Sequence, residues 1–111
     1  MAIHPDLVAR LQKLREFNKA KRSAEVHYRK LDAGKKPFFA QLFLNTEGKS
    51  VAEREYKVYA SPDWKAYADG LAEAETEYNY RDLELQIQLN AYYGELNTFK
   101  QADRVLDREG A

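Results

Sequence analysis

The chain has 111 residues, a length that suits one domain; 32% of them are charged, and only three prolines and five glycines interrupt it. Eighteen basic residues balance eighteen acidic ones, so overall charge gives no argument for a polyanionic partner. The lack of cysteine excludes disulfides and thiolate metal sites, the start lacks the pattern of a signal peptide, and no apolar run approaches the roughly 18 residues needed to cross a bilayer; the expectation is a cytoplasmic protein with no membrane partner.

A helix start is expected between Met1 and Asp6, with Pro5 in the first turn and Asp6 against the positive helix end. From Leu7 onward a helical pattern runs through Leu11, Leu14, Phe17, Ala24, Tyr28 and Leu31. The seven-residue line Phe17, Ala24, Leu31, Phe38 is clean; its companion, Leu14, Lys21, Tyr28, Lys35, Leu42, holds two lysines whose stems can lie along a seam with the ammonium in water. Gly34 and Pro37 are stop signals, yet the apolar register passes through them to Phe38 and Leu42. Two readings compete here: a helix that kinks and resumes with Pro37 in a new first turn, or a short buried strand from Phe38 to Leu44. The first is preferred because no second strand is available for pairing.

Asn45 to Lys49 reads as a turn, with Asn and Gly tolerant of left-handed backbone. Ser50 and Glu53 match a capping box opening a short helix, about Val51 to Ala60. Ser61, Pro62 and Asp63 form a further helix start. From there every seventh residue is large and apolar or aromatic: Trp64, Leu71, Tyr78, Leu85, Tyr92, Phe99 and Leu106. Tyr67, Ala74, Leu89 and Leu96 run beside that line. Spacings of three and four predict a helix presenting one narrow face to a partner helix, roughly 65 Å long at 1.5 Å per residue. Gly70 and Gly94 lie inside it, each expected to let another backbone come close.

The fold class expected is all-α: a single domain over residues 1–111 forming a long antiparallel, coiled-coil-like helical hairpin. Arm one covers about 5–45, the turn 45–49 and arm two about 51–107. The seven residues of the line from Trp64 to Leu106 are its packing seam. Tyr80, Leu83, Ile87 and Ala91 occupy a neighbouring face that one partner helix cannot cover, which predicts a homodimer resembling a four-helix bundle.

Charge is unevenly placed. Residues 10–36 carry ten basic and three acidic side chains, whereas residues 61–111 carry five basic and eleven acidic ones. One reading pairs the basic arm with the acidic arm and so fixes register. A second makes Arg22, Arg29, Lys30, Lys35 and Lys36 a stripe that tracks phosphates, with Tyr28, Phe38 and Phe39 available for base stacking. A third lets the acidic face mimic nucleic acid. Glu73, Glu75, Glu77, Asp82 and Glu84 read as a solvated face, because the histidines a carboxylate metal site would want, three residues after glutamates, are missing. His4 and His27 have no placeable nucleophile. Gly48, Lys49 and Ser50 lack the earlier glycine and preceding strand of a phosphate loop. No catalytic, cofactor or metal residue is assigned, and the chain reads as non-enzymatic. Trp64, beside a proline at a helix start, is the aromatic singled out for a partner surface.

The run Glu47-Gly-Lys-Ser-Val-Ala-Glu-Arg-Glu55, then Ala60-Ser-Pro-Asp-Trp64 and a long Glu/Tyr/Leu-rich helix to Leu96-Asn-Thr-Phe99, resembles small helical proteins of tailed bacteriophages and prophages. Those proteins are associated with early gene regions for recombination or replication. The resemblance spans about residues 37–100. It implies a phage origin, a host bacterial cytoplasm and work near DNA metabolism, and it transfers no functional residue. The function expected is an accessory or inhibitor that binds a phage or host protein; the alternative is direct nucleic-acid binding through the basic first helix.

Overall fold

The structure, a computed structural model, describes the backbone of residues 5–109 and the side chains of residues 5–106; His4 and Gly110 lie outside them. The described residues form three helices and no strand: α1 (Pro5–Leu44), α2 (Val51–Ala60) and α3 (Pro62–Glu109).

Phe38 to Leu44 is the end of α1, and α1 passes through Gly34 and Pro37 without a break, so the expected restart at Pro37 does not occur. Pro37 removes the hydrogen bond to the Ala33 carbonyl, a cost of about 3 kcal/mol in a helix interior. Packing on either side of the proline offsets it. The Phe38 ring stacks on Tyr67 of α3 with centroids 4.7 Å apart, and the Tyr67 hydroxyl donates to the Leu31 carbonyl. Gly34 serves this approach, since a Cβ there would stand 2.9 Å from the Tyr67 hydroxyl oxygen.

The expected turn lies between α1 and α2, and it uses no left-handed residue, so the tolerance of Asn45 and Gly48 for that conformation is not called on. It is closed by side chains instead. Arg54 donates from Nε to the Thr46 carbonyl at 3.0 Å and from Nη2 to the Phe43 carbonyl at 2.8 Å, and its guanidinium lies 4.1 Å from the Phe43 ring centroid. The Phe43 carbonyl, in the last turn of α1, also accepts from the Thr46 amide at 3.2 Å, so Arg54 adds to a backbone bond there and supplies the Thr46 carbonyl of the turn. Gly48 makes room for the arginine: a Cβ there would fall 2.6 Å from Arg54 Cγ. Lys57 adds a bond to the Glu47 carbonyl at 2.9 Å.

Both expected caps form. The Glu53 amide donates to Ser50 Oγ at 3.1 Å, while the Glu53 carboxylate accepts from the Lys49 amide at 2.9 Å, one residue earlier than the reciprocal bond of a capping box. Ser61 alone joins α2 to α3: its amide donates to the Val58 carbonyl at 3.0 Å and its hydroxyl accepts from the Trp64 amide at 3.2 Å. At Gly70 and Gly94 a Cβ would meet nothing within 4 Å, so neither serves a close approach within the chain.

Contacts divide the chain into two compact units, Met1–Arg22 with Tyr80–Ala111, and Ser23–Asn79. In the first, Leu14 and Leu85 are buried between α1 and α3. Arg10 reaches Glu95, and Lys21 reaches Asp82 at 3.2 Å, so α3 partners descend as α1 positions ascend: the helices run antiparallel there. In the second, Val58 of α2 and Ala74 of α3 are the buried hydrophobic residues. Tyr28 stacks on Tyr78 at 6.0 Å, and Phe38 meets Tyr67 and Trp64, so α1 and α3 are again antiparallel within the unit.

Candidate functional site

Burial varies along the line from Trp64 to Leu106. Leu85 is buried, and Trp64, Leu71, Tyr78, Tyr92 and Phe99 are half-buried, but Leu106 is 65% exposed. Lys21 is half-buried on the seam as expected, but its ammonium meets Asp82 at 3.2 Å where the sequence reading left it to water. Lys35, its counterpart two heptads on, is exposed.

Only part of the basic arm pairs with the acidic arm. Arg10 donates to Glu95 at 2.6 Å and to Gln88 at 2.8 Å, and Lys21 meets Asp82. The Arg10 hydrogen bond holds the Glu95 carboxyl below its ordinary range. Arg29 pairs with Glu25 one turn back on α1, at 3.0 Å, and stays 70% exposed. Arg22, Lys30, Lys35 and Lys36 are exposed and form no ion pair among the described residues. The charge asymmetry read from the sequence therefore overstates cross-helix pairing, because several α1 cations stay exposed without reaching a carboxylate on α3.

The acidic stretch of α3 divides by exposure. Glu73, Glu75 and Glu77 are exposed, whereas Asp82 and Glu84 are half-buried beside Lys21 and Arg81. The negative charge of Glu75, followed by burial, raises the Tyr28 phenol above its ordinary value. No group of three His, Asp or Glu side chains among the described residues could hold a metal ion. His27 is exposed.

The residues that the structure does gather lie in the Ser23–Asn79 unit. Lys35, Lys36 and Phe39 of α1, Tyr59 of α2 and Trp64 of α3 line an open cleft of about 310 Å³. Trp64 is fixed by four rings. Phe38 and Tyr67 lie parallel to it at 6.4 and 6.2 Å, and Phe39 and Tyr59 stand edge-on at 5.3 and 5.8 Å. These arrangements are the favourable offset and T-shaped geometries of aromatic pairs. Tyr59 itself remains 56% exposed. Of the aromatics proposed for base stacking, only Phe39 borders the cleft; Tyr28 and Phe38 are occupied by Tyr78 and Tyr67. Arg22 belongs to the other unit.

Sequence reasoning missed Tyr59 and Arg54. Both sit on a short helix whose orientation depends on the one-residue junction at Ser61, and the only signal is the aromatic count of α2.

Comparison with family models, curated proteins and solved structures finds no match to this chain. No helix among the described residues is long and apolar enough to cross a membrane.

Proposed function

We propose that this chain is a non-enzymatic helical interaction protein, folded as a long antiparallel hairpin, that self-associates as a dimer resembling a four-helix bundle. The observation that carries the reading is the exposed apolar face of α3. Leu83 and Ile87 lie one turn apart and are 59% and 56% exposed, and Tyr80, 52% exposed, continues the row. Burying a leucine or isoleucine stabilises by about 1.5–3 kcal/mol, so a face of this kind favours a second helix pair. The core supports the same reading. Only Leu14, Val58, Ala74 and Leu85 are buried among the described residues, a small number for a chain of this length.

In this proposal the dimer acts by binding another macromolecule. The target we propose is a phage or host protein, one of DNA recombination or replication; what supports this is the resemblance of residues 37–100 to small phage-encoded helical proteins. Light scattering at micromolar concentration tests the assembly. The expected mass is twice the 12.9 kDa of the chain, and the Leu83→Glu/Ile87→Glu double variant should be a helical monomer. A monomeric mass for the unaltered protein across that range overturns the reading.

A further inference from the structure

The geometry points to the Lys35–Lys36–Phe39–Tyr59–Trp64 cleft as a binding site for single-stranded nucleic acid, with one unpaired base against the aromatic wall and the flanking phosphates on the α1 cations. This stands independently of self-association.

Three features of the cleft support it. The first is charge. Lys35 and Lys36 form no ion pair among the described residues and stay exposed at the rim. Arg29 and Lys30 lie one to two turns back on α1 in the same unit, so four cations occupy a length of about 10 Å at 1.5 Å per residue. The nearest acids in sequence are Asp32 on α1, Glu55 on α2 and Asp63 in the first turn of α3, where the helix dipole offsets it; Glu25 pairs with Arg29, so Lys30, Lys35 and Lys36 are the cations of this group with no ion pair among the described residues. The second is the wall. Trp64 is braced by four rings, and Tyr59 keeps more than half of its surface open. Flat aromatic surface beside cations is the combination that holds unpaired bases without reading their sequence. The third is size. A volume of about 310 Å³ is at the lower end of small-molecule sites. It accommodates one planar ring system with part of its sugar, and a paired base cannot reach such a wall without leaving its stack. An acidic peptide segment satisfies the lysines but brings no flat face for Tyr59 and Trp64.

The chain has one tryptophan, and it lies in the cleft, so its emission reports on this site alone. The experiment titrates full-length protein with fluorescein-labelled oligothymidylate of about twelve nucleotides at about 50 mM salt, following anisotropy and Trp64 emission together. Expected are saturable binding that weakens steeply with salt and quenching of Trp64 with the same midpoint. Tyr59→Ala should lose about tenfold in affinity, while Tyr59→Phe retains it. Lys35→Glu/Lys36→Glu should lose at least about tenfold. All three alter exposed side chains, and unchanged far-UV circular dichroism confirms their fold. Absence of binding, or binding that leaves Trp64 emission unchanged, overturns the proposal. So does equal quenching by polyglutamate, which would assign the cleft to acidic protein segments, or tighter binding of a duplex of the same length.

Discussion

Tyr67 of α3 donates its hydroxyl proton to the Leu31 carbonyl of α1, over the one α1 position that carries no side chain, Gly34. Two effects oppose each other there. Alanine in a helix interior is favoured over glycine by about 1 kcal/mol. A methyl group at Gly34, however, would sit 2.9 Å from the Tyr67 oxygen, and that ring is packed against Phe38 and Trp64. Gly34→Ala alone should therefore change stability by less than about 1 kcal/mol, the gain in propensity cancelling the displaced hydrogen bond. Tyr67→Phe should cost about 1 kcal/mol. Adding Gly34→Ala to Tyr67→Phe should then stabilise by about 1 kcal/mol, because the obstructing oxygen is gone. A urea-denaturation double-mutant cycle measures the coupling; additive effects would mean that the glycine and the hydroxyl are independent.

Arg54 closes the end of α1 through two carbonyls and the Phe43 ring. Arg54→Ala should cost about 2 kcal/mol, less than two fully buried charged hydrogen bonds because the side chain is only half-buried. Arg54→Lys should recover little, since an ammonium cannot fork between the Phe43 and Thr46 carbonyls while lying flat on a ring. Thermal unfolding of the three proteins checks this, and full recovery by lysine would reduce the role of Arg54 to its charge.

These two sites show where the sequence is readable and where it is not. Helix starts at Ser50 and Ser61 are local, involving partners three residues away, and the pattern exposes them. The line from Trp64 to Phe99 is legible because a period of seven puts the same helix face inward each time. At Gly34 and Pro37 two signals compete: the apolar register through Phe38 and Leu42 favours helix, which the structure has to Leu44, while the absence of a restart at Pro37 goes with packing on Tyr67, 36 residues further along from Leu31. The same limit explains the charges. Counts over residues 10–36 and 61–111 carry sign but no direction, and only the helix face decides that Arg10 and Lys21 reach carboxylates on α3 while Lys35 and Lys36 border the cleft. Phe39 and Trp64 are each visible in the sequence as aromatics of interest; that they share a wall with Tyr59 follows from the tight junction at Ser61, which no periodicity encodes.

Glu95 makes stability depend on pH in the acid range. Its carboxyl is held below the ordinary value by the hydrogen bond from Arg10, then by charge. A folded-state pKa below the unfolded one gives stabilisation that is complete above the unfolded value, about 4.3 for glutamate, and is lost as pH falls through the folded value. Glu53, lowered first by the Lys49 amide, acts in the same direction. The melting temperature should accordingly fall below about pH 4.3, and Arg10→Met should flatten that fall. The two proteins should converge at low pH, where the carboxylate is protonated in both. Parallel curves would show that the Arg10–Glu95 pair does not contribute to folding.

Val58 and Leu83 separate what the chain buries by itself from what it leaves for a partner. Val58 is 1% exposed, in the most enclosed position of the described residues, and Leu83 is 59% exposed. Val58→Ala should cost about 2 kcal/mol at any protein concentration, because its cavity lies within one chain. Leu83→Ala should cost almost nothing in dilute protein. If α3 pairs with a second copy through this face, the cost should grow with concentration, since assembly stabilises the native state by mass action and the variant assembles less well. Denaturation midpoints measured across about a hundredfold range of concentration distinguish the cases. A Leu83→Ala effect that does not vary with concentration would place Leu83 outside any self-association surface, whatever its exposure.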